Sequence, residues 1–234
     1  MCSSDLGSLK IVTVSAMAPV YRQKFLDFEI TWIIKPDGTI QVHLEVERDA
    51  VMRGQYGLYF NHPEKRLDLH GIEDRFGINE AYLPRLGLRL RLPKNMMKAQ
   101  YYGYGPYESY IDKHQASWLG HFDAHVSAMH EDYIRPQENG SHYNCEYVTV
   151  ADRTHKLSVY NETPFSFNLS EYTAEELTEK MHNYELEKSG HTILCIDYRQ
   201  SGIGSGSCGP QLDPKYRLNG THYSFGFHIK PEEL

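Results

Sequence analysis

The sequence has little of what a membrane or nucleic-acid protein needs. No apolar run approaches the roughly 20 residues required to span a bilayer. The opening "MCSSDLGSLK" lacks the charged-then-apolar order of a secretion signal, so the expected setting is cytoplasmic, with no membrane contact. Basic residues are in deficit, 24 Lys and Arg against 31 Asp and Glu for a formal charge of −7. A protein that displaces counterions from phosphate needs a basic face, so nucleic acid is not an expected partner. Cysteine is sparse: positions 2, 145, 195 and 208 form no C-x-x-C pair, which removes zinc-ribbon and thioredoxin readings and leaves free thiols. There is no G-x-S-x-G elbow and no Walker motif. The glycine-rich "SGIGSGSCGP" (201–210) is no dinucleotide cradle, because Pro210 and Pro214 block the helix that must follow one.

What is present is alternation. The 234 residues are 40% hydrophobic, with 18 Tyr against 2 Trp, enough for a sizeable core rich in rings that suit a pleated surface. In "TIQVHLEVE", Ile40, Val42, Leu44 and Val46 face one way and Gln41, His43, Glu45 and Glu47 the other. Leu26, Phe28, Ile30, Trp32 and Ile34 alternate upstream, and "KPDGT" (35–39) between the runs predicts a hairpin turn. "RLGLRLRLP", "PFSFNLS" and "HTILCIDY" read as further strands. "KYRLNGTHYSFGFHIK" predicts a hairpin through a type I′ turn at Asn219-Gly220, with Tyr223, Phe225, Phe227 and Ile229 on one face. A single helix is signalled, by a T-x-x-E capping box at Thr173 and Glu176 followed by Leu177, Met181 and Tyr184. Residues 1–9 read as a non-native or disordered leader, and 10–234 as one all-β domain, a large two-sheet sandwich.

Three groups of residues invite chemistry. His121, Asp123 and His125 would share a strand face near His130, a spacing that suits a divalent metal. The same spacing arises on any solvated strand face, the favoured reading in a chain with 13 His. Glu108 and Glu138 invite an acid/base assignment, against which stands the role of clasp for loop amides or for a cation such as Lys113 or Arg135. Cys208 has no base placed beside it by the local sequence to generate a thiolate.

In combination, three motifs say more. "LPRLGLRLRLP" (83–93), "YYGYGPYESYIDK" (101–113) and "YIRPQENG" (133–140), with the glycine loop and the final aromatic strand, occur in an order and spacing that resembles the C-terminal domain of family 2 β-galactosidases. The resemblance spans about residues 20–230. It implies a β-supersandwich of the galactose-mutarotase-like type, with the first strands missing from this chain. It also implies a domain or small subunit that supports hydrolysis of terminal non-reducing β-D-galactosides such as lactose. The catalytic glutamates, and Mg2+ and Na+, would lie on a barrel domain outside this chain, leaving this segment inactive alone and without a cofactor of its own. Implied partners are that barrel-bearing part, the galactoside at a shared pocket, and further copies in an oligomer.

On the same resemblance, Arg85, Gly103, Gly105, Pro106, Glu108, Asp112, Lys113, Pro136, Glu138, Asn139 and Gly140 are structural motif positions. The tyrosine-rich stretch is then a loop that organises the domain, with Gly103 and Gly105 at tight turns. Ser207, Cys208 and Gly209 would form the pocket rim; some members carry a Trp where Cys208 stands, and a thiol offers far less apolar face than an indole. Two alternatives use other chemistry: an aldose 1-epimerase, and a stand-alone carbohydrate-binding module with Tyr102, Tyr104 and Tyr107 stacking on a pyranose.

Overall fold

A computed structural model describes residues 9–17, 26–48, 82–203 and 212–234, the first of these segments by its backbone alone. The predicted hairpin is there. β2 (Leu26–Ile34) and β3 (Ile40–Arg48) pair antiparallel, Leu26 opposite Arg48 and Ile34 opposite Ile40. At the turn Gly38 takes φ +80° and the Asp37 carboxylate accepts the Thr39 amide at 3.0 Å, the Asx chemistry that closes a short connection. β1 (Leu9–Met17), a run rich in β-branched residues, extends the sheet beyond β2.

The all-β expectation holds: every strand pairing among the described residues is antiparallel. β4 (Arg85–Pro93), β5 (Lys98–Gly105), β6 (Trp118–His125), β7 (Ser141–Ala151), β8 (His155–Ser170), β9 (His191–Gln200) and β10 (His222–Glu233) complete the set. The main sheet runs β1-β2-β3-β10-β8-β7-β5-β6. β8, sixteen residues long, divides it: His155–Tyr160 pair with β10, whereas Ser166–Ser170 pair with β9, which carries β4 on its far edge. One strand thus feeds two branches, and side chains from both meet in one core. Tyr198 of β9 stacks on Phe225 of β10 at 4.9 Å, the contact that makes the branches a sandwich. The alternation read from sequence fills this core. Val42, Leu44 and Val46 bury beside Tyr223, Phe225, Phe227 and Ile229, each fully buried side chain of this size contributing about 1.5–3 kcal/mol.

Three expectations change. The tyrosine-rich stretch is no loop at its start: residues 101–105 finish β5, and Tyr101 is a core residue. Gly103 and Gly105 serve close packing instead of turns. A Cβ on Gly103 would lie 2.2 Å from Cys145 Sγ, and one on Gly105 2.3 Å from the Tyr101 hydroxyl. The chain turns only at Pro106, after a cis Gly105-Pro106 bond. The Asn219-Gly220 hairpin is absent: neither residue has positive φ, and Pro214–Tyr216 form a 3-10 turn capped by Asp213. Proline offers no N–H for a strand ladder, and Leu218 instead bridges to Leu83. The helix is shorter than its periodicity implied. Thr173 caps it by accepting the Glu176 amide, but α1 covers only Ala174–Glu179, and Met181 and Tyr184 are 54% and 83% exposed. Arg89 on the outer face of β4 pairs with Glu175, so α1 rides on the sheet surface as expected.

Gly103→Ala should lower stability by about 1–3 kcal/mol in urea unfolding, the usual cost of overpacking. Adding Cys145→Ala removes the clashing sulfur, so the double variant should lose less than the sum of the two single changes. Strict additivity would show that Gly103 is not held by this contact.

Candidate functional site

The motifs converge on the base of the glycine loop. Toward the end of β9 stands Asp197, which is 2% exposed at its side chain. A buried carboxylate needs a counter-charge, and Arg85, the first residue of β4, supplies it: Nε donates to Oδ1 at 3.1 Å and Nη2 to Oδ2 at 2.5 Å. This two-point fit matches the planar guanidinium. Gly87 makes room for it. A Cβ there would stand 2.5 Å from Asp197 Oδ1 and 2.2 Å from the Ile196 carbonyl, and the strand register shifts at that point. Arg85 also spends Nη1 on both oxygens of Glu138 at 3.2 Å, and Gln200 donates to Asp197 at 3.0 Å. Burial holds the Glu138 carboxyl above its usual range, with the Arg85 charge opposing and those of Asp197 and Glu108 adding to the rise.

A second hub forms around Glu108. Its side chain is 6% exposed and takes hydrogen bonds from Lys113, Tyr133, the Tyr110 hydroxyl and the Gly140 amide. Burial works to raise its pKa, but Lys113, Tyr133 and Gly140 outweigh it and hold the carboxyl below the usual range. Gly140 reaches it only through φ +69°, and a Cβ there would be 2.3 Å from the Met129 carbonyl. Asn139 stabilises the same bend, accepting the Glu131 amide and donating to the Gln137 carbonyl, while Pro136 is buried beneath. Next to this hub lies His142, 1% exposed, whose Nδ1–H donates to the Tyr104 carbonyl at 3.0 Å. Burial pushes its pKa down to about 4.

Both hubs hold the loop. Asp112 accepts the Ile203 amide at 3.0 Å, and Ser201 donates to the Leu83 carbonyl at 2.6 Å while accepting the Leu218 amide. The "LPR" and "YESYID" motifs therefore clamp the first residues of the segment that carries Cys208. Ser207, Cys208 and Gly209 themselves lie outside the described residues. Both acids are engaged by their neighbours: Glu108 is held ionised by its donors, and both oxygens of Glu138 accept from Arg85.

Other sequence candidates fall elsewhere. His121, Asp123 and His125 do share the exposed face of β6, but each has its own partner, in Tyr147, Gln100 and Ser127. His130 bonds Asn183. Among the described residues no three His, Cys, Asp or Glu side chains converge as metal ligands. Tyr102 packs on His121 and Tyr104 between His114 and Tyr143, whereas Tyr107 is 59% exposed. The partner of Glu138 is Arg85, not Arg135. Asp197, Gln200 and Ser201 went unnoticed in the sequence; an acid at the end of the apolar "HTILCIDY" was the available signal.

The family described as "Beta galactosidase small chain" matches residues 3–229. The chain belongs to that family. Among curated relatives, the beta-galactosidase of Actinobacillus pleuropneumoniae is 40% identical over 215 residues, covering 92% of this chain and 18% of the relative. That of Staphylococcus xylosus is 39% identical over 201 residues, 86% and 17% of the two chains. The Kluyveromyces lactis enzyme is 33% identical over 150 residues, 62% and 14%. The chain thus spans under a fifth of the length of these beta-galactosidase relatives.

Arg85→Leu leaves the buried Asp197 uncompensated and should cost about 3–5 kcal/mol in chemical denaturation. Arg89→Leu, which breaks an exposed pair with Glu175, should cost under about 1 kcal/mol. Equal losses would contradict this ranking. His142 gives a pH signature. An ordinary histidine titrates near 6.5 and this one near 4, so the unfolded chain binds the extra proton between those values. Stability is complete above pH 6.5 and should fall by about 3 kcal/mol as the pH drops to 4. His142→Asn should flatten that part of the stability curve, and an unchanged slope would remove His142 as its cause.

Proposed function

We propose that this chain is a non-catalytic sandwich domain or small subunit, C-terminal in position, of a family 2 β-galactosidase. It supports hydrolysis of terminal non-reducing β-D-galactosides such as lactose in the cytoplasm. One observation carries the reading: the family match covers nearly the whole chain while beta-galactosidase relatives are four to five times or more its length. The engagement of Glu108, Glu138 and Asp197 in ion pairs supports it further, because a retaining mechanism needs two carboxyls free to flank the scissile bond. On this reading the glutamate pair, with Mg2+ and Na+, belongs to a barrel-bearing part outside the chain. The described residues offer no cluster that fits those ions, and no step here runs through them.

The contribution of this chain is mechanical. Arg85, Asp112 and Ser201 set the position of the loop base, and Ser207, Cys208 and Gly209 then form the rim of the galactoside pocket. The barrel-bearing part is the partner, and the complete assembly is oligomeric.

The test is complementation. A family 2 β-galactosidase lacking the matching segment, mixed with this chain, should recover hydrolysis of a chromogenic galactoside, and the chain alone should show none. Absence of both rescue and binding with a well-matched partner would refute the subunit role. Hydrolysis by the chain alone that is abolished by Glu108→Gln would refute the non-catalytic one.

A further inference from the structure

β7 and β8 part company midway along their pairing. Their register shifts between His142 and Cys145 and again between Cys145 and Tyr147, and the facing stretch of β8, residues 161–164, pairs with no residue of β7. Asn144 sits in this irregularity with φ 56°. A cleft of about 180 Å³ opens there, walled on its far side by Tyr198, Arg199 and Gln200 of β9. That is about six times the ~30 Å³ share of a water in the liquid, and below the roughly 300–1,000 Å³ of sites for drug-sized ligands. Only a small molecule fits.

Charge of one sign lines the cleft. Arg199 is its cation, and no carboxylate faces it there. The acids of the two hubs are already answered, Asp197 and Glu138 by Arg85 and Glu108 by Lys113. In the apolar groove beside Leu92 and Pro231 the cation, Lys156, is spent on Glu232 at 3.0 Å. Arg199, by contrast, has no hydrogen bond and no ion pair among the described residues. It rests over the Tyr198 ring at 5.6 Å, and that ring is stacked on Phe225. Stacking steadies the guanidinium and leaves its N–H fork free to donate. Arg199 and Thr163 are exposed and reachable from solvent, whereas Ser166 and Phe165 are buried. The side-chain amide of Asn144 and the hydroxyls of Thr163 and Ser166 are likewise without partners among the described residues, so three neutral donors stand beside the charge. Ile111, Pro164 and Phe165 add an apolar wall. An unpaired guanidinium with neutral donors beside it, and no acid to repel an incoming charge, suits an oxyanion. A bare inorganic ion would leave the apolar wall in water; a carboxylate on a short carbon skeleton covers both.

We propose that this cleft binds a small organic carboxylate, its oxygens on the Arg199 fork and its carbon skeleton against Ile111, Pro164 and Phe165. Such a site lies beyond the proposed function, and nothing in it depends on the galactoside reading.

Saturation-transfer NMR on the 234-residue chain tests it, with isobutyrate, its neutral isostere isobutyramide, and inorganic phosphate as probes. Isobutyrate should show saturable, millimolar binding. The amide lacks the charge that strengthens a hydrogen bond to a guanidinium and should bind at least about tenfold more weakly. Arg199→Gln should weaken isobutyrate by about tenfold or more, and Arg199→Lys, which keeps the charge but loses the fork, should fall between. Asn144→Gly keeps the left-handed backbone while removing the amide and should weaken binding about five- to tenfold, the effect of losing one hydrogen bond. Arg89→Gln, at an exposed arginine outside the cleft, should change nothing. No saturable transfer from isobutyrate, equal binding of the amide, or binding untouched by Arg199→Gln would overturn the proposal. Phosphate that binds more tightly than isobutyrate, displacing it, would overturn the organic assignment and leave a site for an inorganic oxyanion only.

Discussion

A carboxylate at the buried end of a core strand is the constraint around which this molecule is arranged. Asp197 cannot stay charged in the interior without a cation, and Arg85 is placed to answer it at two points. That need accounts for neighbouring choices of residue. Gly87 must lack a side chain so that β4 can approach β9 beside the carboxylate. Glu138 completes the coordination of the guanidinium, bringing the "QENG" bend against the strands. Replacing Arg85 strands the Asp197 charge in a poorly solvated place.

From that unit the order spreads outward. Glu108 gathers Lys113, Tyr133 and the Gly140 amide, tying the tyrosine-rich segment to the same bend. Asp112 and Ser201 then pass the fixed geometry to residues 201–203. A glycine-rich sequence has more conformational entropy to lose on ordering than one with side chains. Clamping residues 201–203 offsets part of that loss where the glycine-rich segment begins. Glu108, Glu138 and Asp197 are each engaged in an ion pair.

Much of the fold was legible locally. Strict period-two runs placed β2, β3, β4 and β10, and Asp37-Gly38 gave their first turn, because alternation and positive φ are properties of a few adjacent residues. Thr173 was legible as a cap for the same reason. Asn219-Gly220 misled: the dipeptide permits a type I′ turn but does not compel one, and Pro214 denied the partner strand its ladder. Met181 and Tyr184 misled too, since periodicity says nothing about whether a core waits opposite them. Gly103 and Gly105 signalled a constraint correctly but not its kind; a packing contact with Cys145 or Phe122 looks the same in sequence as a turn.

The amino-acid sequence alone determined the class of the protein: antiparallel strands, a capped helix at Thr173, and motif order that carries family membership. It also marked Arg85, Glu108, Asp112, Glu138 and Gly140 as residues with work to do. Only the tertiary structure decided what that work is. Arg85 meets Asp197 across 112 positions of sequence and Glu138 across 53, and Asp112 meets Ile203 across 91. Local spacing sets which way a side chain points. Burial sets whether its charge must be answered, and by whom, and burial exists only once distant strands have packed.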